Sequence, residues 1–577
     1  MRGEVLDIRR RRLGDENADT AASLDALAEV YQNQRRLPEA EAKAREALRI
    51  RRKLFGNESL KVADSLRTIC MIQGVGNRWV QAEQTASEVL AIRRKVLGDE
   101  NSSVASALAD RAWALNALGK FEEAQKAETE AFLIKRKYLG DTHPDVLKYL
   151  NSLGQLLGNR GDLESADAVL KAVLSIQRKL LGDENPSTLE TLTTLGRILQ
   201  REGKRSESVS VWREASAIAG KLWANDDVET LYVLRGLGEA LEVDGKWSEA
   251  ETIWRESLTR WRKRGGIEEQ QSMFSLRKLG LALEAERKWS EAESVHREGL
   301  AISSKKGIQD QEALVDLERL VRVLANQKKF SEAVELLDQA LTPAFVQQAA
   351  SVNLLTQRVN LMGQRRRWRE AARDAGILLQ LQPSEHYHYH RLVALLAISQ
   401  NRPDYDQLCQ KIVTTFTNTA NPYVDERIAQ DCLLLPNSGV DLKWIDTMAD
   451  AAVTRGSAEA ALPYFQACKA MSNYRLGNFR EAINWAEKAE KSSTAEAQAK
   501  AKACAVSAMA HWTLGQKGEA RAALAKGDTL APKISSERDG EDLGGSWVAW
   551  LFARISLDEA TALIPSSSTT GSNTNQP

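Results

Sequence analysis

Across residues 18–306 the apolar and polar positions follow the period of a helix, and the pattern restarts at every 42nd residue. One leucine marks the register, at Leu24, Leu66, Leu108, Leu150, Leu192, Leu234 and Leu276. A small residue follows four later, at Ala28, Cys70, Ala112, Gly154, Gly196, Gly238 and Gly280. A second follows twelve further on, at Ala40, Ala82, Ala124, Ala166, Ser208, Ala250 and Ala292. Side chains this small let two helices cross closely, so each unit predicts a tight helical hairpin. The hairpins are punctuated by Leu13-Gly14-Asp15, Phe55-Gly56-Asn57, Leu97-Gly98-Asp99, Leu139-Gly140-Asp141, Leu181-Gly182-Asp183 and, more weakly, Trp223-Ala224-Asn225. A fixed period of this length means a stack of repeats, not a globule.

Leucine, then Gly or Ala, then Ala at these offsets resembles the tetratricopeptide repeat. The 42-residue step with Leu-Gly-Asp after a basic turn is similar to the kinesin-light-chain subtype, most closely over Ala131 to Val146. The resemblance implies an all-α fold, a right-handed superhelical solenoid of antiparallel helix pairs, and a role in binding other proteins. A second resemblance lies at Ser546-Trp547-Val548-Ala549-Trp550-Leu551-Phe552-Ala553-Arg554, which is similar to the end of repeat arms attached to bacterial serine/threonine kinases of planctomycetes and verrucomicrobia.

The expected organisation runs as follows. Residues 1–17 form a truncated half repeat, because Glu4-Val5-Leu6-Asp7-Ile8-Arg9 aligns with Glu46-Ala47-Leu48-Arg49-Ile50-Arg51 in the middle of a second helix; the expectation is that the natural chain extends further N-terminal or that this reading frame is a fragment. Regular repeats fill 18–306. Shorter ones follow over 307–382, where the step falls between Ala292, Ala333 and Ala371. Divergent hairpins occupy 383–456, with Pro383, Pro403, Pro422 and Pro436 marking connections. Two clear repeats return over 457–545, a capping helix spans 546–564, and a Ser/Thr/Asn tail at 565–577 is expected to be disordered.

Composition narrows the function. The 577 residues carry 79 basic and 79 acidic side chains, a net charge of zero, which argues against nucleic acid as a partner. The five cysteines, Cys70, Cys409, Cys432, Cys468 and Cys504, show no zinc spacing and read as reduced thiols. No apolar run reaches the ~18 residues of a membrane span, and the N-terminus lacks a signal-peptide core, so a cytoplasmic protein without a membrane partner is expected.

Candidate chemistry is sparse. Gly74-Val75-Gly76 lacks the third glycine and the strand of a phosphate loop, and no P-loop, HExxH or GxSxG motif is present. His386-Tyr387-His388-Tyr389-His390 places two histidines one helical turn apart, but without further ligands it reads as the polar first turn of a helix. The basic triplets Arg51-Arg52-Lys53, Arg93-Arg94-Lys95 and Lys135-Arg136-Lys137 recur at second-helix ends, where cations complement the helix dipole. Trp212 and Trp254, one repeat apart, read as packing residues. No enzyme, cofactor, metal site or small-molecule substrate is expected.

The functional surface is then a groove. Relative to the register leucine, positions −2, +1, +5 and +8 turn away from the packed face, and in tetratricopeptide arrays such positions line the concave side. They select Asn151, Gln155, Arg197, Arg235, Glu239, Arg277 and Trp113 as candidates for holding a protein or peptide. Asn151 matches the first of the paired asparagines of kinesin-light-chain-like grooves, and Ser152 replaces the second. The reading is a non-enzymatic interaction scaffold; the alternative is a substrate-recruiting or regulatory arm of a serine/threonine kinase.

Overall fold

The structure is a computed structural model that describes residues 2–223, 227–266, 270–417, 419–534 and 542–565. Ala224 and Asn225 of the weakened punctuation, and all of the tail beyond Pro565, lie outside the described residues. Those described are helical or irregular, with no strand among them. They fall into two compact units, 1–295 and 296–577.

Unit 1 opens on α1 (Arg2–Leu13) and continues as hairpins: α2 (Ala18–Asn33) with α3 (Leu37–Phe55), α4 (Leu60–Val75) with α5 (Trp79–Leu97), α6 (Ser102–Ala117) with α7 (Phe121–Leu139) and α8 (Pro144–Arg160) with α9 (Leu163–Leu181). Then come α10 (Pro186–Arg201) with α11 (Arg205–Leu222), α12 (Val228–Val243) with α13 (Trp247–Gly265), and α14 (Gln270–Ala285) followed by α15 (Trp289–Ser303), which crosses the division. Unit 2 continues with α16 (Gln311–Asn326), α17 (Phe330–Ala340), α18 (Val352–Gln364), α19 (Trp368–Leu381), α20 (His386–Ile398), α21 (Arg402–Thr415), α22 (Pro422–Leu433), α23 (Leu442–Arg455), α24 (Leu462–Arg475), α25 (Phe479–Lys491), α26 (Ala497–Thr513), α27 (Lys517–Leu530) and α28 (Trp547–Leu563).

Local chemistry sets each boundary. First helices begin on Asn17, Ser59, Asn101, His143, Asn185 and Asp227, whose side chains accept a backbone N–H of the opening turn. The turn inside each hairpin needs one left-handed residue. Gly119, Gly161, Gly203 and Gly245 supply it without strain, while Arg35, Asn77 and Arg287 adopt the same positive φ at some cost.

The recurring small residue has a partner sixteen positions on. A Cβ on Gly154 would meet Leu170 at 2.8 Å, on Gly196 it would meet Trp212 at 2.6 Å, and on Gly238 it would meet Trp254 at 2.6 Å. Where the first helix carries Ala28 or Cys70 instead, the second carries only Ala44 or Ala86, both buried. Across these repeats a large side chain on the second helix is thus accepted only where the first helix offers a glycine, and elsewhere both positions stay small.

The basic triplets sit in last turns as expected, but their charges are used between repeats. Arg52 reaches Glu88 at 2.7 Å, 36 residues on, and Arg10–Glu46, Arg94–Glu130 and Arg178–Glu214 pair in the same way; from the middle of later second helices Arg213 pairs with Glu249 and Arg255 reaches Glu291 at 2.5 Å. A second row runs backwards: Lys53 binds Glu16, Lys95 binds Glu58 at 2.5 Å, Lys137 binds Glu100 and Lys221 binds Glu184 at 2.7 Å. These ladders fix neighbouring repeats in register.

Candidate partner-binding groove

First helices α10 and α12 stand side by side and leave between them a pocket of about 500 Å³. Its walls are Glu190, Thr193 and Arg197 from α10 and Tyr232, Arg235 and Glu239 from α12, which are the −2, +1 and +5 positions of two successive repeats. Leu189, Val233 and Trp223 add apolar surface. Trp212 of α11 forms the floor: its indole lies between Gly196 and Gly236, where a Cβ on either would come within 2.6 Å of the ring. The second glycine, Gly236, stands outside the repeating small positions, and nothing in its sequence spacing points to Trp212, 24 residues away.

Three of the seven candidates, Arg197, Arg235 and Glu239, therefore meet in one pocket. Arg197 donates only a 3.5 Å hydrogen bond to Thr194, and the surrounding walls withdraw water from its guanidinium and lower its pKa. Arg235 binds Glu239 at 3.1 Å and lies 4.0 Å over the ring of Phe274. The remaining four are spread through unit 1. Asn151 is 5 % exposed; its Nδ2 donates to Glu190 at 3.4 Å, which makes it a brace behind the pocket wall. Gln155 and Arg277 are half-buried on α8 and α14. Trp113, 37 % exposed, packs edge-on against Trp79 with centroids 4.9 Å apart and covers Gly74.

Below the groove between α6 and α8 the floor is different in kind. Glu128 stands where other repeats have Ala44, Ala86, Leu170, Trp212 or Trp254, and is buried. Burial pushes its pKa up to about 7 against the lowering effect of a hydrogen bond from Ser152.

The histidine run holds no ligand set. His390 binds Asp431 at 2.6 Å and stacks on Phe552, while the Nε2 of His386 lies 2.5 Å from Arg427. Among the described residues no three His, Cys, Asp or Glu side chains converge as a metal ion requires, and no helix is long and apolar enough to cross a membrane. The five cysteines are unpaired and buried.

Family models for the tetratricopeptide repeat match residues 20–60 and 104–145, residues 145–221 and 227–305, and residues 501–534. No curated protein matches. Among solved structures, a putative kinesin light chain of Podosopora anserina with nearly identical TPR-like repeats is 25 % identical over 36 % of this chain and 99 % of its own, with a TM-score of 0.33. BtubC (BKLC) from P. vanneervenii is 15 % identical over 40 % of this chain and 92 % of its own, at 0.35. Yeast Tom70 is 15 % identical over 87 % of this chain and 96 % of its own, at 0.30. By its repeats and its paired helices, the chain is an all-α solenoid that carries tetratricopeptide repeats.

Proposed function

We propose that this protein is a non-enzymatic scaffold that holds a partner polypeptide along the inner groove of unit 1, with the α10/α12 pocket at its centre. Tetratricopeptide arrays generally serve as protein-interaction scaffolds. The observation that carries the reading here is the pocket lining: an apolar floor of Trp212 and a wall bearing Tyr232, ringed by a desolvated Arg197 and the Arg235–Glu239 pair. A peptide side chain gains apolar contact on such a floor while its neighbours are read by the charged rim. The groove changes character from Trp113 to Arg277, which suits an extended segment read by several repeats in turn.

The reading as an arm of a serine/threonine kinase rests on the resemblance of Ser546 to Arg554. The buried Trp547, Leu551 and Phe552 of that stretch have a packing role of their own in unit 2, so it adds no independent support.

A random peptide library displayed on phage and selected on the immobilised full chain tests the groove. Selected peptides should bind Tyr232→Ala and Arg197→Ala at least ten-fold more weakly than the parent. Peptides that bind both variants as tightly as the parent place the interaction elsewhere.

A further inference from the structure

The C-terminal helix α28 packs on α26 and α27, as an end cap does, and then continues back to α20 and α18. Trp547 lies where a Cβ on Gly363 would stand 2.6 Å from its ring, and its Nε1 donates to Asn360 at 3.4 Å. Phe552 stacks on His390 with centroids 4.6 Å apart. Glu559 takes both arms of the Arg475 guanidinium, one at 2.7 Å.

The register shows what kind of surface this is. In unit 1 the groove positions −2, +1, +5 and +8 fall thirteen, ten, six and three residues before the left-handed turn residue, as Leu24 stands eleven before Arg35. In unit 2 the left-handed residues Arg366, Gln400 and Gly515 put Asn360 and Gly363 at +5 and +8, His390 at +1 and Lys502 at −2. Three of the residues that α28 covers, Asn360, Gly363 and His390, are therefore groove residues. Around His390 the face keeps groove chemistry: His390 and its neighbours Asp431, Glu426 and Lys502 are all buried, and Glu426 Oε1 and Arg391 Nε have no hydrogen-bond partner. Polar groups of this kind are stable facing water and costly once covered.

We infer that the inner face of unit 2 is a helix-binding groove whose resident occupant is α28, and that a partner helix of the same pattern exchanges with it. Such a partner is amphipathic, with aromatic side chains five residues apart for Gly363 and His390 and a carboxylate seven beyond the second for Arg475. The site is separate from the unit 1 groove and stands or falls without it.

The probe is a fluorescein-labelled peptide of residues 546–564, titrated into the full chain. The resident helix competes at the high effective concentration of a tethered ligand, so the unaltered protein should bind the peptide weakly. Glu559→Arg sets like charges at Arg475, unseats α28 and should bind the peptide at least ten-fold more tightly. Arg475→Glu with Glu559→Arg restores the internal pair with opposite polarity, and should return hydrogen-exchange protection to α28 and abolish peptide binding. If α28 amides lose protection in Glu559→Arg while peptide affinity stays at the parent's level, the inner face is not a binding groove. If α28 keeps its protection in that variant, α28 is a fixed part of the core and the inference is equally overturned.

Discussion

The indole of Trp212 occupies the space in which a Cβ on Gly236 would stand, 2.3 Å from its ring carbons. The two residues belong to successive repeats, so the pocket floor is also the joint between them. Gly236→Ala forces either the indole or α12 to move. Overpacking of this kind costs about 1–3 kcal/mol, read as a lower midpoint in equilibrium urea unfolding. Gly220→Ala is the control: nothing lies within 4 Å of a Cβ there, and loss of backbone freedom in the unfolded chain should make that variant about 0.5–1 kcal/mol more stable. Equal effects from both substitutions would remove the packing argument for the floor.

Arg136 breaks the ladder. Its guanidinium turns to Asp141 in its own loop, because the position one repeat on from Glu130 is Ala172. Ala172→Glu supplies the missing rung between α7 and α9. An exposed pair is worth only about 0.2–1 kcal/mol and is screened by salt, so the gain should appear in thermal unfolding at low ionic strength and fade in about 1 M salt. A gain that persists in high salt would arise from helix propensity rather than from pairing.

Much of the fold could be read from spacing alone. Leu24 and its successors, the small residue four later and the turn chemistry at Gly161-Asp162 each report on contacts within one hairpin, and such local contacts repeat wherever the pattern repeats. What escaped the sequence lies between hairpins. The cations of Arg52 and Lys53 satisfy the helix end, but their carboxylates are 36 and 37 residues away and opposite in direction; nothing in a last-turn Arg-Lys pair tells which neighbour it will meet. The return of Trp547 to Asn360 spans 187 residues, and no period connects them. Arg197, Arg235 and Glu239 were placed in one groove by register, whereas the burial of Asn151 was not, because Glu190 of the next repeat closes over it.

Asp431 fixes the ring of His390 beneath α28. Removal of the carboxylate in Asp431→Ala leaves Nδ1 of a fully buried imidazole without its partner. An unsatisfied buried polar group costs about 1–3 kcal/mol. Protonation offers no escape, since burial already holds the pKa of His390 down to about 3. Hydrogen exchange should therefore quicken in α20 and α22 and be largely restored by Asp431→Asn, whose side-chain amide can donate to Nδ1 or accept from it. Unchanged protection in Asp431→Ala would mean that stacking on Phe552 alone positions the ring.

Glu128 makes the stability of unit 1 depend on pH in the direction opposite to that of a paired carboxylate. Burial raises its folded pKa to about 7 from the ordinary 4.5, so between these values the folded chain holds a proton that the unfolded chain has released. Stability from this group is then fully present below pH 4.5 and is lost as pH rises through 7. Each pKa unit corresponds to about 1.4 kcal/mol, which gives a loss of about 3 kcal/mol across the window. Glu251, on the same class of second helix, behaves in the opposite sense: burial pushes its pKa up, but hydrogen bonds from Lys288 and Arg255 outweigh it and bring the value down to about 2. Glu128→Gln keeps the shape and the hydrogen bond to Ser152 without the charge. The difference in unfolding free energy between this variant and the parent should be small at pH 5 and favour the variant at pH 8. A flat difference across that range would show that Glu128 titrates normally, with water reaching it through the groove between α6 and α8.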